Sequence, residues 1–469
     1  TSNPWGLDFN DFGHAFVEAC VIPHNWHIIQ GGRYHRQAGS HFNPHTYADI
    51  QTIAEHRHYV GATPHGGNNR SDSAGGGHAH CGTMIYLGGT WPKEYRGQMF
   101  MGNIHGKRFN VDKLTPKGSG YVASRAPDFL LANDEYARFI NLRAGPDGNV
   151  VFIDWYDRQA CHHGNPAIWD RDTGRIYRVA HKDAKPVKVD LTKKTNAELM
   201  ALAGHEDEWH SRHARRLLQE RKPSLKEFQD FGLEKFAISH RDEARRLRGL
   251  WALHVAGHGT EEMLRQKIDD VSPHVRAWVV QLAAEGKSVS PRMQERFAAM
   301  AKKDPSPVVR LYLASTCQRL PLEKRWEILA GLVSHAEDAT DHNLPLMSWY
   351  AMEPLAAEDA GRALELAASS KIPIHLPFMI RRISSQGSDT AVTLLVQALG
   401  KAKEDRTRLA FLDGIQAGLK GVRAFPMPDA GKEVGRLEVA EERDLGCHRA
   451  RCARALRQQF RRREELRGR

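Results

Sequence analysis

The sequence predicts a multidomain chain, β followed by α, in which the C-terminal part of a β-propeller precedes an α-solenoid. Residues 1–182 are rich in Gly, Asn, Asp and His and carry short apolar runs between turn signals, a pattern typical of short antiparallel strands. In residues 195–425 the apolar positions recur at helical spacing, which indicates packed helices. One helical segment also recurs 34 residues further along the chain.

The clearest strand unit runs from Gly145 to Val179. Asp147-Gly148 supplies a tight turn, and Val150 and Phe152 alternate along a half-buried strand. A loop rich in Asp and His then leads through a second turn to a second strand, as in one propeller blade. At about 40–50 residues per blade, this part holds about three or four blades, too few to close a ring. We therefore expect the first part of the propeller, and any export signal, to lie upstream.

A short basic linker, residues 183–194, precedes the helical part. Asp270–Gly286 and Asp304–Leu320 share a Ser-Pro-x-Val-Arg core. Looser copies occupy Asp207–Arg221 and Asp242–Gly257. In each copy an Asp, often with a Pro, opens the helix, as the preferences of helix N-termini favour. Repeated helical pairs that share one core form an α-solenoid, and residues 195–425 look like HEAT repeats.

The formal net charge of +11 is concentrated near the C-terminus. Residues 443–469 carry ten Arg against three carboxylates, a local charge of +7, within an Arg-rich tail at 426–469. A nucleic-acid site would spread its charge over one face of a folded domain, so we expect no nucleic-acid partner. The tail is either a solvated helix or the product of a reading-frame error.

Several common chemical signatures are absent from the sequence. No EF-hand, P-loop, strand-linked GxGxxG, HExxH or GxSxG motif is present, which disfavours nucleotide-dependent enzymes. The six cysteines form no CxxC pair and no CxxCH haem-attachment motif, and their spacing does not assign disulfides. No apolar run approaches the length of a transmembrane helix. Histidine is unusual, because fifteen of the 26 lie between His14 and His181.

Several strings in the N-terminal part point to a known family. They are CVIPHNWHI (Cys20–Ile28), GGRYHRQAGSHFNPHTY (Gly31–Tyr47), AEHRHYVGA (Ala54–Ala62) and the segment Gly76–Asn110. Over about 180 residues the chain resembles the membrane-bound dehydrogenases of planctomycetes. The propeller of that family is similar to that of soluble quinoprotein glucose dehydrogenases. Family members often carry a cytochrome c module, for which this chain has no CxxCH motif.

This resemblance implies a cofactor and a reaction. In the related quinoproteins, pyrroloquinoline quinone lies on top of the propeller, Arg and Lys hold its carboxylates, and Ca²⁺ polarises the quinone. A His removes a proton from the alcohol as hydride leaves. A tricarboxylate needs bidentate cations, and such a reaction needs a base that titrates near neutral pH. The resemblance also implies a periplasmic or cell-envelope location and a cytochrome c electron acceptor.

The candidate catalytic residues are histidines beside glycines. His78 and His80 share one strand face behind Gly75–Gly77, where two imidazoles could meet one metal ion or place a base beside a cofactor. His105, inside a GNIHG turn, is the third candidate. Hydrogen bonding in the core or in loops is the favoured interpretation for two further pairs, His24 with His27 and His56 with His58.

The candidate cofactor and metal ligands lie elsewhere. The Gly-rich loop after residue 30 brings small residues and two arginines together, so a carboxylate could approach closely. The predicted cofactor-binding arginines are Arg33, Arg36 and Arg138. Asp residues near the second strand unit supply the best oxygen ligands for Ca²⁺, or they order loops by accepting backbone N–H groups. The predicted metal ligands are Asp134, Asp154, Asp157 and His162.

Three functional hypotheses follow from these observations. The first is an exported quinoprotein-type dehydrogenase that oxidises a sugar or other alcohol at the propeller mouth, with the helical repeats docking a protein partner. The alternative is a non-catalytic scaffold whose propeller mouth holds a glycan or protein and whose solenoid docks another component. The third is metal or haem binding at the propeller mouth, which the excess of histidine indicates.

Overall fold

The structure, a computed structural model, describes residues 3–20, 23–60, 70–77, 79–160, 164–182 and 184–420. Three small antiparallel sheets are followed by a helical region. Sheet 1 contains β1 (Pro4–Phe9), β2 (Ala15–Ala19) and β3 (Asn25–Ile28). Sheet 2 contains β4 (His80–Ile85), β5 (Met99–Asn103), β6 (Arg108–Lys117) and β7 (Gly120–Ala126). Sheet 3 contains β8 (Phe139–Ala144), β9 (Val150–Asp154) and β10 (Arg175–Val179). In every sheet, consecutive strands are hydrogen-bonded neighbours.

Sheet 3 confirms the strand unit that the sequence predicts. Gly148 has a φ of 69° in the turn between β8 and β9, and the Gly145 N–H donates to the Asn149 carbonyl at 2.7 Å. Along β9, Val150 and Phe152 are buried and alternate with more exposed positions. The turn chemistry and the period of two were therefore sufficient to locate this hairpin.

The first strands of the three sheets lie next to one another, because β4 packs against both β1 and β8. Glycine permits this close approach. A Cβ atom on Gly6 would lie 2.4 Å from the Thr83 backbone nitrogen, and one on Gly82 would lie 2.5 Å from the Asn141 nitrogen. An apolar core that includes Phe109 fills the space between sheets 2 and 3. The sheets are thus packed through their backbones as well as through their side chains.

The helical region begins after β10. Its helices are α1 (Asn196–Ala203), α2 (Glu208–Arg221), α3 (Leu225–Phe231), α4 (Leu233–Ser239), α5 (Glu243–Leu253), α6 (Glu261–Arg265), α7 (Pro273–Ala283), α8 (Pro291–Lys303), α9 (Pro307–Cys317), α10 (Trp326–Leu332), α11 (Leu344–Met352), α12 (Leu355–Glu358), α13 (Ala360–Ser369), α14 (His375–Ser384), α15 (Asp389–Lys401) and α16 (Asp405–Gly418). Within the described ranges, no helix combines the length and the apolar character that crossing a bilayer requires.

The capping residues explain where several of these helices begin. Asp207 caps α2 and Asp242 caps α5, each accepting a backbone N–H from the first turn. At α7 the cap is Ser272, and Pro273 occupies the first helical turn. The predicted Asp caps of α2 and α5 are confirmed. The prediction that Asp270 opens α7 is wrong in detail, because Ser272 is the cap and Asp270 accepts the Ser272 N–H at 2.9 Å.

The chain divides into two compact units. Unit 1 contains Thr1–Ser40, Asp49–Gly286 and Ser306–Tyr312, and unit 2 contains His41–Ala48, Lys287–Pro305 and the residues from Leu313 onward. The three sheets and α1–α7 all belong to unit 1, so the change from strand to helix occurs inside that unit. The predicted tail at 426–469 lies outside the described residues.

Three cysteines lie in the described part of the chain. Cys20, Cys81 and Cys317 are buried and form no disulfide with one another, and the sulfur atoms of Cys20 and Cys81 lie 4.0 Å apart. Cys161, Cys447 and Cys452 lie outside the described residues. Of the cysteines that the structure describes, only Cys20 and Cys81 are therefore placed close together.

A buried carboxyl group in sheet 1 predicts a pH dependence of stability. Glu18 on β2 is 0 % exposed, and it accepts the Gly82 N–H at 3.2 Å. Burial, with a smaller contribution from Cys20, raises the pKa of Glu18 well above its usual range. Because the folded pKa exceeds the unfolded value, the free energy of unfolding should fall as the pH rises above about 4.3 towards the folded pKa.

Glu18→Gln should remove this loss of stability. We expect the variant to be more stable than the parent by about 1–3 kcal/mol at pH 8 and nearly equal to it at pH 4. Urea unfolding at both pH values measures the difference. If the variant and the parent differ in stability by the same amount at pH 4 and pH 8, Glu18 has the same pKa in the folded and unfolded states.

Candidate metal centre

Four side chains from three separate segments meet inside unit 1. His24 directly precedes β3, His56 and His58 lie in the loop between β3 and β4, and Asp112 lies on β6. One ligand atom from each of the four residues falls within 4.8 Å of the others. The side chains of His24, His58 and Asp112 are at most 3 % exposed, and that of His56 is 15 % exposed. We call this group the His-Asp cluster.

The distances in the His-Asp cluster suit a small cation. His24 Nε2 lies 2.9 Å from Asp112 Oδ2, and His56 Nε2 lies 3.1 Å from Asp112 Oδ1. The Nε2 atoms of His56 and His58 are 3.1 Å apart. Tetrahedral Zn²⁺, with bonds of about 2.0–2.1 Å, separates its ligand atoms by about 3.3–3.4 Å. The observed separations, from 2.9 Å up to the 4.8 Å limit, span that value.

The neighbours of the cluster hold its ligands in place. His58 Nδ1 lies 2.8 Å from His80 Nε2, and the Asn25 side-chain amide donates to Asp112 Oδ2 at 3.0 Å. If His58 donates from Nδ1 to His80, its Nε2 atom keeps a free lone pair that faces the cluster. An outer-shell hydrogen bond of this kind fixes the tautomer and the ring orientation of a metal-binding imidazole.

The protonation states also fit a cation site. Burial, followed by the charges of His24 and His80, lowers the pKa of His58 well below its usual range. Burial and His24 lower the pKa of His80 to about 3. Burial alone would raise the pKa of Asp112, but His24 and His56 together hold it well below its usual range. His58 and His80 are therefore neutral, and Asp112 is ionised. Asp112 Oδ1 is buried and lies 3.1 Å from His56 Nε2 and 3.8 Å from His58 Nε2.

A glycine-rich segment encloses one side of the site. The Gly77 N–H donates to the His58 carbonyl at 2.8 Å, and a Cβ atom on Gly75 would lie 2.7 Å from His58 Cδ2. The side-chain amides of Asn103 and Asn110 bind the Gly75 carbonyl at 3.2 Å and 2.9 Å. These contacts explain two glycines of the run, because a side chain at Gly75 would meet the imidazole and a Cβ atom on Gly76 would lie 2.3 Å from Gly106 Cα.

Of the three predicted catalytic histidines, one lies beside this site. His80, at the start of β4, is in contact with the His-Asp cluster through His58. His105 lies in the turn between β5 and β6, where its N–H donates to Asn103 Oδ1 at 3.1 Å. His78 lies outside the described residues. The cluster therefore includes one of the three predicted residues as an outer-shell neighbour.

The predicted cofactor-binding arginines have other partners. Arg138 is buried, and its guanidinium donates to the carbonyl oxygens of Ala137 at 2.7 Å and of Arg158 at 3.0 Å. Arg36 is exposed and donates to the Ala38 carbonyl at 3.3 Å. Arg33 is half-buried in the same loop. The contacts of Arg138 and Arg36 order the backbone of their own segments.

The predicted calcium ligands order loops, which was the alternative interpretation of their role. Asp134 accepts the Tyr136 N–H at 2.9 Å. Asp154 accepts the N–H groups of Arg138 and Tyr156 at 2.7 Å and 2.9 Å. Asp157 accepts two further backbone N–H groups, at 2.8 Å and 3.1 Å. His162 lies outside the described residues, and among those that are described these aspartates form no group of metal ligands.

Sequence reasoning did not single out Asp112 and interpreted His24, His56 and His58 as hydrogen-bonded residues. The His-x-His spacing at 56–58 and the local excess of histidine were the available signals. Asp112 carried no signal, because it lies in an ordinary strand, 54 positions after His58. Only the tertiary structure brings its carboxylate to the imidazoles.

Comparisons with known proteins show a similarity in the N-terminal part of the chain. Residues 1–183 match a domain of unknown function (DUF7133). No curated protein matches the chain. An engineered protein of known crystal structure aligns at 17% identity and a TM-score of 0.22, covering 49% of this chain and 100% of its own. A designed armadillo repeat protein in complex with a (KR)4 peptide aligns at 13% identity and a TM-score of 0.21, covering 48% and 100%.

Proposed function

We propose that the sheet-bearing part of unit 1 binds one divalent transition-metal ion between His24, His56, His58 and Asp112. The observation that carries this proposal is the convergence of three imidazoles and one carboxylate, with all ligand atoms within 4.8 Å. The complete burial of the Asp112 carboxylate supports it. A buried carboxylate is costly in the interior unless donors or a cation compensate its charge.

The ligand types favour a transition metal over calcium. Imidazole nitrogen suits Zn²⁺, Cu²⁺, Fe²⁺ and Ni²⁺, whereas Ca²⁺ takes six to eight oxygen ligands. The cluster offers three nitrogens and one carboxylate. Entry from solvent would occur at His56, the most exposed of the four side chains at 15 %. A small molecule would reach a bound ion from the His56 side.

A second proposal is the quinoprotein-type dehydrogenase, with pyrroloquinoline quinone and Ca²⁺, acting on a sugar or other alcohol. The packing of β4 against β1 and β8 favours it, because the first strands of successive blades adjoin in this way around a propeller axis. Under this proposal the helices form a HEAT-like solenoid that docks a protein partner. The periplasmic location and the cytochrome c acceptor belong to the same proposal.

Metal analysis and thermal unfolding of the full chain test both proposals. We expect one equivalent of transition metal in the purified protein and its removal by a chelator. Adding Zn²⁺ at about a hundredfold excess over its Kd should restore about 2.7 kcal/mol of stability, seen as a rise in Tm. Ca²⁺ alone should not produce that rise.

The other outcomes also decide between the proposals. A rise in Tm that requires both pyrroloquinoline quinone and Ca²⁺ would support the dehydrogenase. If the purified protein contains no stoichiometric metal and Zn²⁺, Cu²⁺, Fe²⁺ and Ni²⁺ do not shift its Tm, the proposal of a metal centre is wrong.

A further inference from the structure

Unit 1 also contains a cleft of about 430 Å³, lined by residues other than those of the His-Asp cluster. The loop between β1 and β2 forms one wall, and α2, α5 and α7 contribute the others. Small-molecule sites usually have volumes of about 300–1,000 Å³, with an apolar lining and a few convergent polar groups. The cleft has this size. The chemistry of its lining residues indicates which class of ligand it suits.

Two indole rings line the cleft. Trp251 and Trp278 pack edge to face with their ring centroids 5.1 Å apart, and Trp278 Nε1 donates to the Phe12 carbonyl at 2.7 Å. Gly13 has a φ of 70°, and a Cβ atom there would lie 2.7 Å from Trp278 Cζ2 and 2.9 Å from Trp251 Cζ2. The loop therefore needs glycine at this point to fit against the two rings, which give the cleft an aromatic wall.

Three arginines share one carboxylate beside these rings. Glu208 on α2 lies 2.6 Å from Arg248, 3.1 Å from Arg212 and 3.7 Å from Arg215. Arg212 has a second ion pair with Asp8 at 2.8 Å. Arg248 also has a second ion pair, at 2.7 Å, with a carboxylate of the β1–β2 loop. Within the described residues, Arg215 forms an ion pair only with Glu208.

The positive charge of Arg215 is only partly balanced, because the one carboxylate beside it is shared with Arg212 and Arg248. Its guanidinium lies 5.2 Å from the centre of the Trp251 ring, and its Nη1 atom is buried without an acceptor among the described residues. Burial lowers the pKa of Arg215, and the charges of Arg212 and Arg248 act in the same direction. An anionic group in the cleft would supply the missing negative charge and hydrogen-bond acceptors.

Another part of the lining accepts hydrogen bonds. Glu285 is exposed on its side chain by 66 %, and its Oε2 atom lies 2.5 Å from His254 Nε2. Both residues line the cleft. A carboxylate of this kind accepts hydrogen bonds from ligand hydroxyl groups, which a simple aromatic acid does not offer. The cleft thus combines a guanidinium, an indole face and a hydroxyl acceptor.

We propose that this cleft binds an acidic sugar, a pyranose that carries a carboxylate. The carboxylate meets Arg215, the C–H face of the ring packs on Trp278, and hydroxyl groups reach Glu285. A neutral sugar lacks the charge that Arg215 requires, and an aromatic acid lacks the hydroxyl groups. The proposal does not depend on the metal centre.

Binding to the full chain in the presence of EDTA tests the proposal independently of the metal. Tryptophan fluorescence and titration calorimetry are measured with D-glucuronate, D-glucose and benzoate. We expect saturable binding of glucuronate, with glucose and benzoate at least about tenfold weaker. If glucose binds as tightly as glucuronate, the ligand charge plays no part and the proposal is wrong. If benzoate binds more tightly than glucuronate, the ligand is not a sugar. The absence of binding by all three would overturn the proposal.

Variants locate the site. Arg215→Gln should weaken glucuronate binding at least about tenfold, because the charge-assisted contact is lost. Arg216→Gln is the matched control, since Arg216 lies on the same helix, is 61 % exposed and pairs with Glu220. If Arg215→Gln fails to fold, Glu285→Gln, at an exposed side chain, serves as the second variant with an expected loss of about three- to tenfold. Unchanged binding in the folded variants would contradict the assignment.

Discussion

Replacing Asp112 with Asn is expected to abolish the metal-dependent rise in Tm and to weaken Zn²⁺ binding by at least about 100-fold. Loss of a partner in the outer shell of a metal site already costs about 10- to 100-fold in affinity, and Asp112 is the one carboxylate of the cluster. Its two oxygens lie 2.9 Å from His24 and 3.1 Å from His56. Metal content after dialysis, together with Tm with and without Zn²⁺, measures the effect.

Asp154→Asn is the matched control for this experiment. Asp154 is also buried, but its Oδ1 atom accepts two backbone N–H groups, which an Asn oxygen can still accept. The control should keep one equivalent of metal. If Asp112→Asn does not fold, His56→Ala removes the most exposed ligand instead and should also lose the metal. One equivalent of metal in a folded Asp112→Asn variant would contradict the assignment.

Gly82→Ala is expected to be the most destabilising single methyl addition in the sheets. Gly82 has a φ of 97° on β4, and a Cβ atom would lie 2.5 Å from the backbone nitrogen of Asn141 and 2.8 Å from its Cα. The left-handed conformation costs a non-glycine residue about 1–2 kcal/mol, and overpacking adds about 1–3 kcal/mol. We expect a loss of at least about 3 kcal/mol, measured by urea unfolding.

Gly97→Ala separates the two contributions. Gly97 has a φ of 79° but no neighbouring atom within 4 Å of the added Cβ. It should lose only the conformational part, about 1–2 kcal/mol. Equal losses in the two variants would show that β4 and β8 are not in the close backbone contact described here.

The local features of the fold were predictable because they depend on neighbouring residues. Asp147-Gly148 forms the turn before β9, and Asp207 and Asp242 cap α2 and α5. Each of these effects acts over two or three residues, so the pattern of the chain contains it. The propeller, the HEAT-like solenoid, the dehydrogenase activity and its cofactors stay predictions.

The candidate site was less predictable from local sequence. Asp154 resembles a calcium ligand in composition, yet its carboxylate accepts N–H groups two residues ahead and in Arg138. A sequence does not distinguish these two uses of an aspartate. The histidines of the His-Asp cluster were visible as pairs, whereas Asp112 was not singled out, because nothing in its strand marks it.

The sequence by itself determined the order of strands followed by helices, the tight turns, the helix starts and the excess of histidine in the first part of the chain. Only the tertiary structure decided which of those histidines meet, and that Asp112 joins them 88 residues after His24. The physical reason is that the contacts of Asp112 with His24 and His58, and the close packing of β4 at Gly82, join residues that are far apart in the chain. Such contacts depend on the whole core and leave no local pattern in the chain.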